Sequence, residues 1–232
     1  MRAPPGKVAI LPEAGASAAF DPDCRRCARL ASFLDAVRAE HHHYYCRPVP
    51  PFGMPSAHLV IVGLAPGLHG ANASGRPFTG DHAGILLYET LHAHGFASKA
   101  QSVSRDDGLA LIDCRITNAV KCLPPANKPL PAEVRACNGF LAADLAALPA
   151  GGAILALGRI AHDATLRALG RPASAFAFAH GARHPLEGDA ALFDSYHCSR
   201  YNTNTRRLTP AMFHAVFEGV VRHLGRTARA AA

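Results

Sequence analysis

Short runs of apolar residues alternate along the chain with longer stretches in which apolar positions recur at helical spacing. The clearest run is Leu-Val-Ile-Val at positions 59–62, which ends at Gly63. A continuous run of this length is typical of a strand buried on both faces of a parallel sheet. Further apolar runs predict strands at 116–120, 153–157, 176–178 and 192–196, and helical spacing predicts helices over 27–40, 84–96, 132–148, 159–169 and 210–224. Strands that alternate with helices predict a three-layer α/β/α sandwich with a mainly parallel central sheet.

The composition fits a single folded domain. With 232 residues, 49% of them hydrophobic and 18% charged, the chain can bury a core without disulfides. We predict a flexible N-terminal tail over residues 1–20, one domain over 21–225 and a C-terminal tail over 226–232. The first residues lack the apolar segment of a secretory signal and no apolar run could cross a bilayer, so we expect a cytoplasmic protein without membrane contact.

Basic residues outnumber acidic ones. The net charge is +7 and the isoelectric point is near 9.3. Basic surface speeds the encounter with phosphate backbones, so the charge is compatible with a nucleic-acid partner. Solvated surface charge without such a partner explains the same excess equally well.

The segment after the first predicted strand is the most informative part of the chain. It reads Gly-Leu-Ala-Pro-Gly-Leu-His-Gly-Ala-Asn-Ala-Ser-Gly-Arg-Pro-Phe-Thr-Gly-Asp over residues 63–81. Its glycines let the backbone approach a ligand closely, Phe78 offers a stacking ring and Asp81 offers a carboxylate. This predicts a ligand site at the carboxyl end of the strand. A tight turn held only by packing is the alternative.

Two more polar segments follow or end predicted strands. One is Thr-Asn-Ala-Val-Lys-Cys at 117–122, and the other is Tyr-His-Cys-Ser-Arg-Tyr-Asn-Thr at 196–203. In a parallel sheet these segments meet the first along one edge. Asn118 could then read the edge of a pyrimidine, and His197 could donate to an oxygen on which negative charge develops. The alternatives are a helix cap for Asp81, a partner for strand-end backbone groups for Asn118 and a core histidine for His197.

Four of the seven cysteines form two pairs. Cys24 and Cys27 have the Cys-x-x-Cys spacing, and Cys122 and Cys137 flank a proline-rich loop. Four thiolates suit zinc or an iron–sulfur cluster, and spacing does not choose between them. Separate buried thiols are the alternative. Cys46, Cys114 and Cys198 have no partner at such spacing, and the adjacent histidines at 41–43 are expected to form a solvated face.

Several long motifs in this order make the chain resemble the uracil-DNA glycosylase superfamily, and within it the iron–sulfur type B branch known as family five. The motifs are residues 63–67 with 69–72, 75–81, 117–118 beside 121–122, and 197–203. The resemblance extends from about Cys24 to the last predicted helix. It implies a monofunctional base-excision repair enzyme that hydrolyses the N-glycosidic bond of uracil in DNA, with DNA as its partner and a monomer as its expected state.

The resemblance also implies residue roles. Most branches place a water-positioning carboxylate or amide where this chain has Ala65, so Asp81 becomes the candidate carboxylate. Asn118 matches the base-recognising asparagine, Phe78 the stacking ring and His197 the histidine that stabilises the leaving anion. The cysteine quartet matches the ligands of a structural [4Fe-4S] cluster, which favours the cluster over zinc. The remaining residues expected to contact substrate or DNA are Gly63, Leu64, Ala65, Pro66, Gly67, His69, Gly70, Thr79, Gly80, Ser199, Arg200, Tyr201, Asn202 and Thr203.

Ala65 widens the range of functions. A pocket without the usual side chain predicts relaxed specificity that includes hypoxanthine, ethenocytosine or mismatched thymine. A non-catalytic module that binds damaged or abasic DNA is the alternative, because such a module would also lose its water-positioning group. A third reading is a zinc-stapled phosphate-ester hydrolase that uses the glycine-rich loop as an anion cradle. Lys121, Lys128, Arg206 and Arg207 are candidate contacts to the DNA backbone, with solvated charge as the equal alternative.

Overall fold

The computed structural model describes residues 19–226, and its strands form one six-stranded sheet. The strands are Phe52–Gly53 (β1), Leu59–Gly63 (β2), Cys114–Asn118 (β3), Ala153–Leu157 (β4), Arg183–Pro185 (β5) and Ala191–Ser195 (β6). Their order is β1-β3-β2-β4-β6-β5. The four central strands run parallel, and the short edge strands β1 and β5 pair antiparallel to their neighbours.

Helices cover both faces of the sheet. They are Ala28–Glu40 (α1), Ala71–Ser74 (α2), His82–Ala93 (α3), Pro131–Ala146 (α4), Arg159–Ala168 (α5), Arg200–Asn204 (α6) and Pro210–His223 (α7). Alternate residues of β2 point to opposite faces, so Leu59 and Ile61 pack with α3 and α7, whereas Val60 and Val62 pack with α4 and α5. The predicted three-layer α/β/α class with a mainly parallel sheet is confirmed.

Most predicted elements are present with small shifts at their ends. Strands β2 and β4 have the predicted bounds. Helix α3 begins two residues before its predicted start, at His82, because the side chain of Asp81 caps it. Strand β3 ends at Asn118 rather than residue 120. Beyond it, the N–H of Val120 donates to the carbonyl of Leu64, so the chain follows the loop after β2.

The predicted strand at 176–178 is wrong. The chain forms a single 3-10 turn at Ala173–Ala175, and the edge strand β5 comes seven residues after Phe176. Phe176 and Phe178 instead turn their rings edge-on to His184 and His162. Their apolar character reflects packing around these histidines and not strand pairing.

The predicted tails at 1–20 and 226–232 lie almost entirely outside the described residues. Arg226 is described, and its guanidinium pairs with Asp113 and donates to the carbonyl of Gly95. Between residues 19 and 226, no helix has the length and apolar character needed to cross a membrane.

Candidate active site

A cavity of about 730 Å³ opens at the carboxyl edge of the parallel strands. It lies where β2 has β3 on one side and β4 on the other, so the loops that follow β2 and β4 diverge and leave a crevice. Twelve of the sequence-predicted site residues line it: Leu64, Ala65, Gly67, His69, Gly70, Phe78, Gly80, Asp81, Asn118, His197, Ser199 and Arg200. The fold therefore brings the three predicted segments together.

The two carboxylate oxygens of Asp81 have different surroundings. Its Oδ1 accepts the N–H of Gly84 at 2.9 Å and caps α3, as the alternative interpretation of this residue expected. Its Oδ2 faces Gly67 and Gly70, where a Cβ would come within 3.6 and 2.6 Å of it. Burial raises the pKa of Asp81, and hydrogen bonds from Gly84 and Ala83 partly oppose that rise. One oxygen thus caps the helix, and the other faces two glycines of the cavity wall.

Phe78 and His197 form a stacked pair in the cavity wall. Their ring centroids lie 5.9 Å apart with an interplanar angle of 28°. Burial lowers the pKa of His197 to about 4, so its imidazole is neutral near pH 7. A neutral imidazole still carries one N–H, and it can donate to an anion without transferring a proton.

The backbone around Phe78 is tightly anchored. Phe78 has φ of +54°, a left-handed value that is uncommon outside glycine. The hydroxyl of Tyr88 donates to the carbonyl of Pro77 at 2.8 Å. A Cβ at Gly84 would stand 1.9 Å from the Phe78 carbonyl oxygen, so α3 packs directly on this turn. Helix α3 therefore fixes the position of the aromatic ring.

A buried ion pair supports the same loop from behind. The Arg76 guanidinium holds the Asp107 carboxylate at 2.6 Å and donates to the hydroxyls of Thr79 and Ser102. This guanidinium keeps the pKa of Asp107 well below its usual range. Thr79, a predicted substrate contact, is buried in this network and does not line the cavity.

Asn118 ends β3 directly beside Gly63. A Cβ at Gly63 would come within 2.4 Å of Asn118 Oδ1, so the carboxamide occupies the space that a side chain would take. Gly63 does not itself line the cavity, and neither does Pro66. The role of Gly63 is to give room to the groups that do.

Helix α6 contains the last group of predicted residues, in a segment where the sequence analysis predicted no helix. Ser199 caps it through its hydroxyl, and Asn202 Nδ2 donates to the carbonyl of His197 at 2.8 Å. Thr203 Oγ1 lies 2.9 Å from His82 Nε2, which joins α6 to α3. Tyr201 is 71% exposed and does not line the cavity. Asn202 and Thr203 thus position the site, and Arg200 lies at its rim.

One part of the cavity wall was missed by the sequence predictions. The end of β4 and the start of α5 contribute Leu157, Gly158, Arg159 and Ile160. The signal was present, because an apolar strand followed by glycine and a helix is the same pattern that marked β2. Behind the wall residue His69, Tyr44 Oη lies 2.8 Å from its Nδ1, and His41 stacks on Tyr44.

The four predicted metal ligands come together in a separate small cavity beside the start of α1. Cys24, Cys27, Cys122 and Cys137 all line it. Burial raises the pKa of the Cys122 thiol to about 12, and a bound cation would oppose this because it favours thiolate. The N–H of Lys121 donates to Cys137 Sγ at 3.3 Å. The arrangement is consistent with a metal group held by four cysteines.

Lys121 is not a surface contact for DNA. Its side chain is buried, and Nζ lies 2.9 Å from Asp144 Oδ2 beside the hydroxyl of Thr117. Arg115 pairs with the other oxygen of the same carboxylate. The residue belongs to an internal ion-pair network between β3 and α4.

Comparisons with known proteins give one consistent result. A model of the uracil DNA glycosylase superfamily matches residues 50–220. A type-5 uracil-DNA glycosylase from Thermus thermophilus is 47% identical over 195 residues, which cover 82% of this chain and 89% of that protein. A type-5 uracil-DNA glycosylase from Mycobacterium bovis is 40% identical, with 84% and 75% covered. A type-4 uracil-DNA glycosylase from Archaeoglobus fulgidus is 38% identical over 55% of this chain and 57% of that protein.

Proposed function

The chain belongs to the uracil DNA glycosylase superfamily, and from this membership we propose that it hydrolyses the N-glycosidic bond of uracil in DNA during base excision repair. Its type-5 relatives carry that activity in their names. One observation carries the proposal. A stacking ring, a carboxamide, a neutral imidazole and a carboxylate all line the same cavity: Phe78, Asn118, His197 and Asp81.

The cavity accepts a base that has left the duplex. Uracil presents alternating acceptors and a donor on its edge, and the Asn118 carboxamide supplies both a donor and an acceptor to meet them. Phe78 supplies the face on which the ring stacks. The residues that take part are already held in place by Gly63 and α3, so the pocket recognises the base without rearrangement.

The leaving group is the uracil anion. His197 donates its N–H to the oxygen on which the charge grows, and the low pKa of about 4 keeps this donor neutral. Uracil is a tolerable leaving group, so electrostatic stabilisation contributes more than proton transfer. The hydrogen bond from Asn202 to the His197 carbonyl orients the segment that carries the ring.

Asp81 takes the place of the side chain that Ala65 lacks. Its Oδ2, which faces the wall residues Gly67 and Gly70, orients the attacking water or stabilises the positive charge that develops on the sugar. Ala65 lines the same cavity, where its small side chain leaves space above the base. This space supports relaxed specificity toward hypoxanthine, ethenocytosine or mismatched thymine. Rates of base release measured under the same conditions for uracil and for these bases test the relaxed specificity. A strict preference for uracil would contradict it.

The four cysteines are proposed to hold a structural [4Fe-4S] cluster, with zinc as the alternative. Four thiolates on one zinc, each at about 2.3 Å, stand about 3.8 Å apart. Within residues 19–226, no three of the cysteine sulfurs lie within 4.8 Å of one another. A cluster suits this wider spacing because each cysteine binds a different iron. Iron and sulfide analysis of anaerobically purified protein tests it: Cys24→Ser should lose iron, whereas Cys114→Ala, in the sheet core, should retain it.

The DNA is proposed to lie across the cavity mouth. Arg200 at the rim and the exposed Tyr201 ring next to it can contact the backbone and fill the gap left by the displaced base. We further propose that residues 21–225 act as one domain, and that the protein works in the cytoplasm as a monomer without an obligate partner.

A duplex with one uracil opposite guanine tests the function. Anaerobically handled protein should produce alkali-labile abasic sites, and Asp81→Asn and His197→Ala should produce them more slowly. Gly219→Ala in α7, remote from the cavity, serves as the matched control. Tight binding without any base release, in protein that retains its iron, would instead support the damage-binding module.

A further inference from the structure

Two histidines and an aspartate form a closed cluster behind the cavity wall, and the proposed reaction does not use them. Asp194 on β6 is fully buried, and its Oδ1 lies 2.8 Å from Nδ1 of His162 on α5. Its Oδ2 lies 3.0 Å from Nε2 of His184 on β5. The three ligand atoms lie within 4.8 Å of one another. Three separate segments of the chain thus converge on one carboxylate.

The surroundings of His162 suit a metal ligand. Its Nε2 lies 2.9 Å from the carbonyl oxygen of Phe176, which can only accept a hydrogen bond, so Nε2 is the nitrogen that donates there. Its Nδ1 faces the Asp194 carboxylate. The ring is 1% exposed, and these two contacts fix its orientation.

We propose that His162, His184 and Asp194 bind a divalent cation of the zinc class, separate from the cysteine site. Two imidazoles and a carboxylate are ligands that zinc accepts. The carbonyl of Phe176 already holds His162 Nε2, and ligating histidines usually donate their second N–H to such a group. His184 is 15% exposed, which gives the ion a path to solvent.

Binding of the cation replaces the hydrogen bonds between Asp194 and the two imidazoles. The cation binds Nδ1 of His162, Nε2 of His184 and the Asp194 carboxylate, and His162 Nε2 keeps its contact with the Phe176 carbonyl. Any proton that a ligating nitrogen held moves to the other nitrogen of its ring or to solvent.

The site joins the elements that form the cavity wall. His162 follows the wall residues Arg159 and Ile160 in the first turn of α5, and Asp194 precedes His197 by three residues. A cation bound here would cross-link α5, β6 and the edge strand β5. Its effect on the reaction would be indirect, through the positions of these two segments, so the three residues are positioning residues and not catalytic ones.

Zinc titration of the full chain in its iron-containing form tests the proposal. We expect one zinc per chain after gel filtration, with the iron content unchanged. Zinc-edge X-ray absorption should show only nitrogen and oxygen ligands, at about 2.0–2.2 Å. Zinc that displaces iron and shows sulfur ligands at about 2.3 Å, or no retained zinc, would overturn the proposal.

Two conservative variants locate the site. His162→Gln and Asp194→Asn should each weaken zinc binding by at least the roughly 10- to 100-fold that loss of an outer-shell partner costs. His94→Gln is the control, because His94, directly after α3, lies 3.1 Å from His214 on α7 in a second histidine pair. Equal zinc affinity in all three variants would refute the assignment. If a variant does not fold, the zinc content and absorption spectrum of the unaltered chain still decide.

Discussion

Replacement of Gly63 by alanine should damage the reaction far more than it damages the fold. Gly63 ends β2, and a Cβ there would lie 2.4 Å from Asn118 Oδ1 and 2.7 Å from Phe78 Cζ. Real Cβ atoms do not approach other heavy atoms within 3.0 Å. The carboxamide must therefore retreat by more than half an ångström, and the stacking ring must move with it.

Both groups that must move belong to the proposed base pocket. A misplacement of about 1 Å costs on the order of 100-fold in rate, which we expect as the loss in kcat/KM for Gly63→Ala. That loss corresponds to about 2.7 kcal/mol of transition-state stabilisation. Overpacking of a well-packed site costs about 1–3 kcal/mol of the free energy of unfolding. The domain should remain folded with a lower melting temperature.

The assay compares kcat/KM on uracil-containing duplex with thermal unfolding of the same preparations. Gly219→Ala in α7 is the matched control, because its new Cβ would lie an ordinary 3.5 Å from Phe193. This variant should retain full activity and equal or greater stability, since alanine favours helix over glycine. A folded Gly63→Ala protein with parental kcat/KM would refute the argument that this glycine makes room for the base-binding groups.

Three further predictions follow from single contacts. The His197 ring has a pKa of about 4, so it should show no NMR titration near the usual histidine value of about 6.5. Because the unfolded chain protonates this histidine at a higher pH than the folded chain does, the free energy of unfolding should fall as the pH drops from about 6.5 toward 4. Asp81→Asn should keep the cap on Gly84 and its melting temperature while losing base release, whereas Asp81→Ala should also lose about 0.5–2 kcal/mol of unfolding free energy. Lys121→Ala should cost about 3–5 kcal/mol by leaving Asp144 undercompensated, measured by urea unfolding, and should leave the salt dependence of DNA binding unchanged.

The sequence predicted the main site residues because they follow a simple rule. Polar groups in the segments that end or follow buried parallel strands meet at one edge, and Asp81, Asn118 and His197 all lie in such segments. The same rule would have found Gly158 and the start of α5. Helix α6 was not predicted, because a five-residue helix has too few turns to show a period.

Other features depend on contacts between distant segments and leave no local pattern. Lys121 looks like any surface lysine until Asp144, 23 residues further along, is placed beside it. Phe176 looks like a strand residue until His184 is placed against its ring. The divided role of the Asp81 carboxylate also needed coordinates, because the sequence supports either a cap or a reactive group without showing that its two oxygens face different ways.

The left-handed backbone of Phe78 affects how quickly the pocket releases an undamaged base. A ring held by φ of +54°, a packed helix and a hydrogen-bonded neighbour has little freedom left to lose when a base arrives. The strain of that conformation, about 1–3 kcal/mol, is a cost of folding and is not added each time a base binds. An undamaged base that enters therefore finds a surface that will not adapt to it, and its dwell time is set by its own fit. Rejection of normal DNA can then be fast, which suits a protein that must inspect many bases for each one it removes.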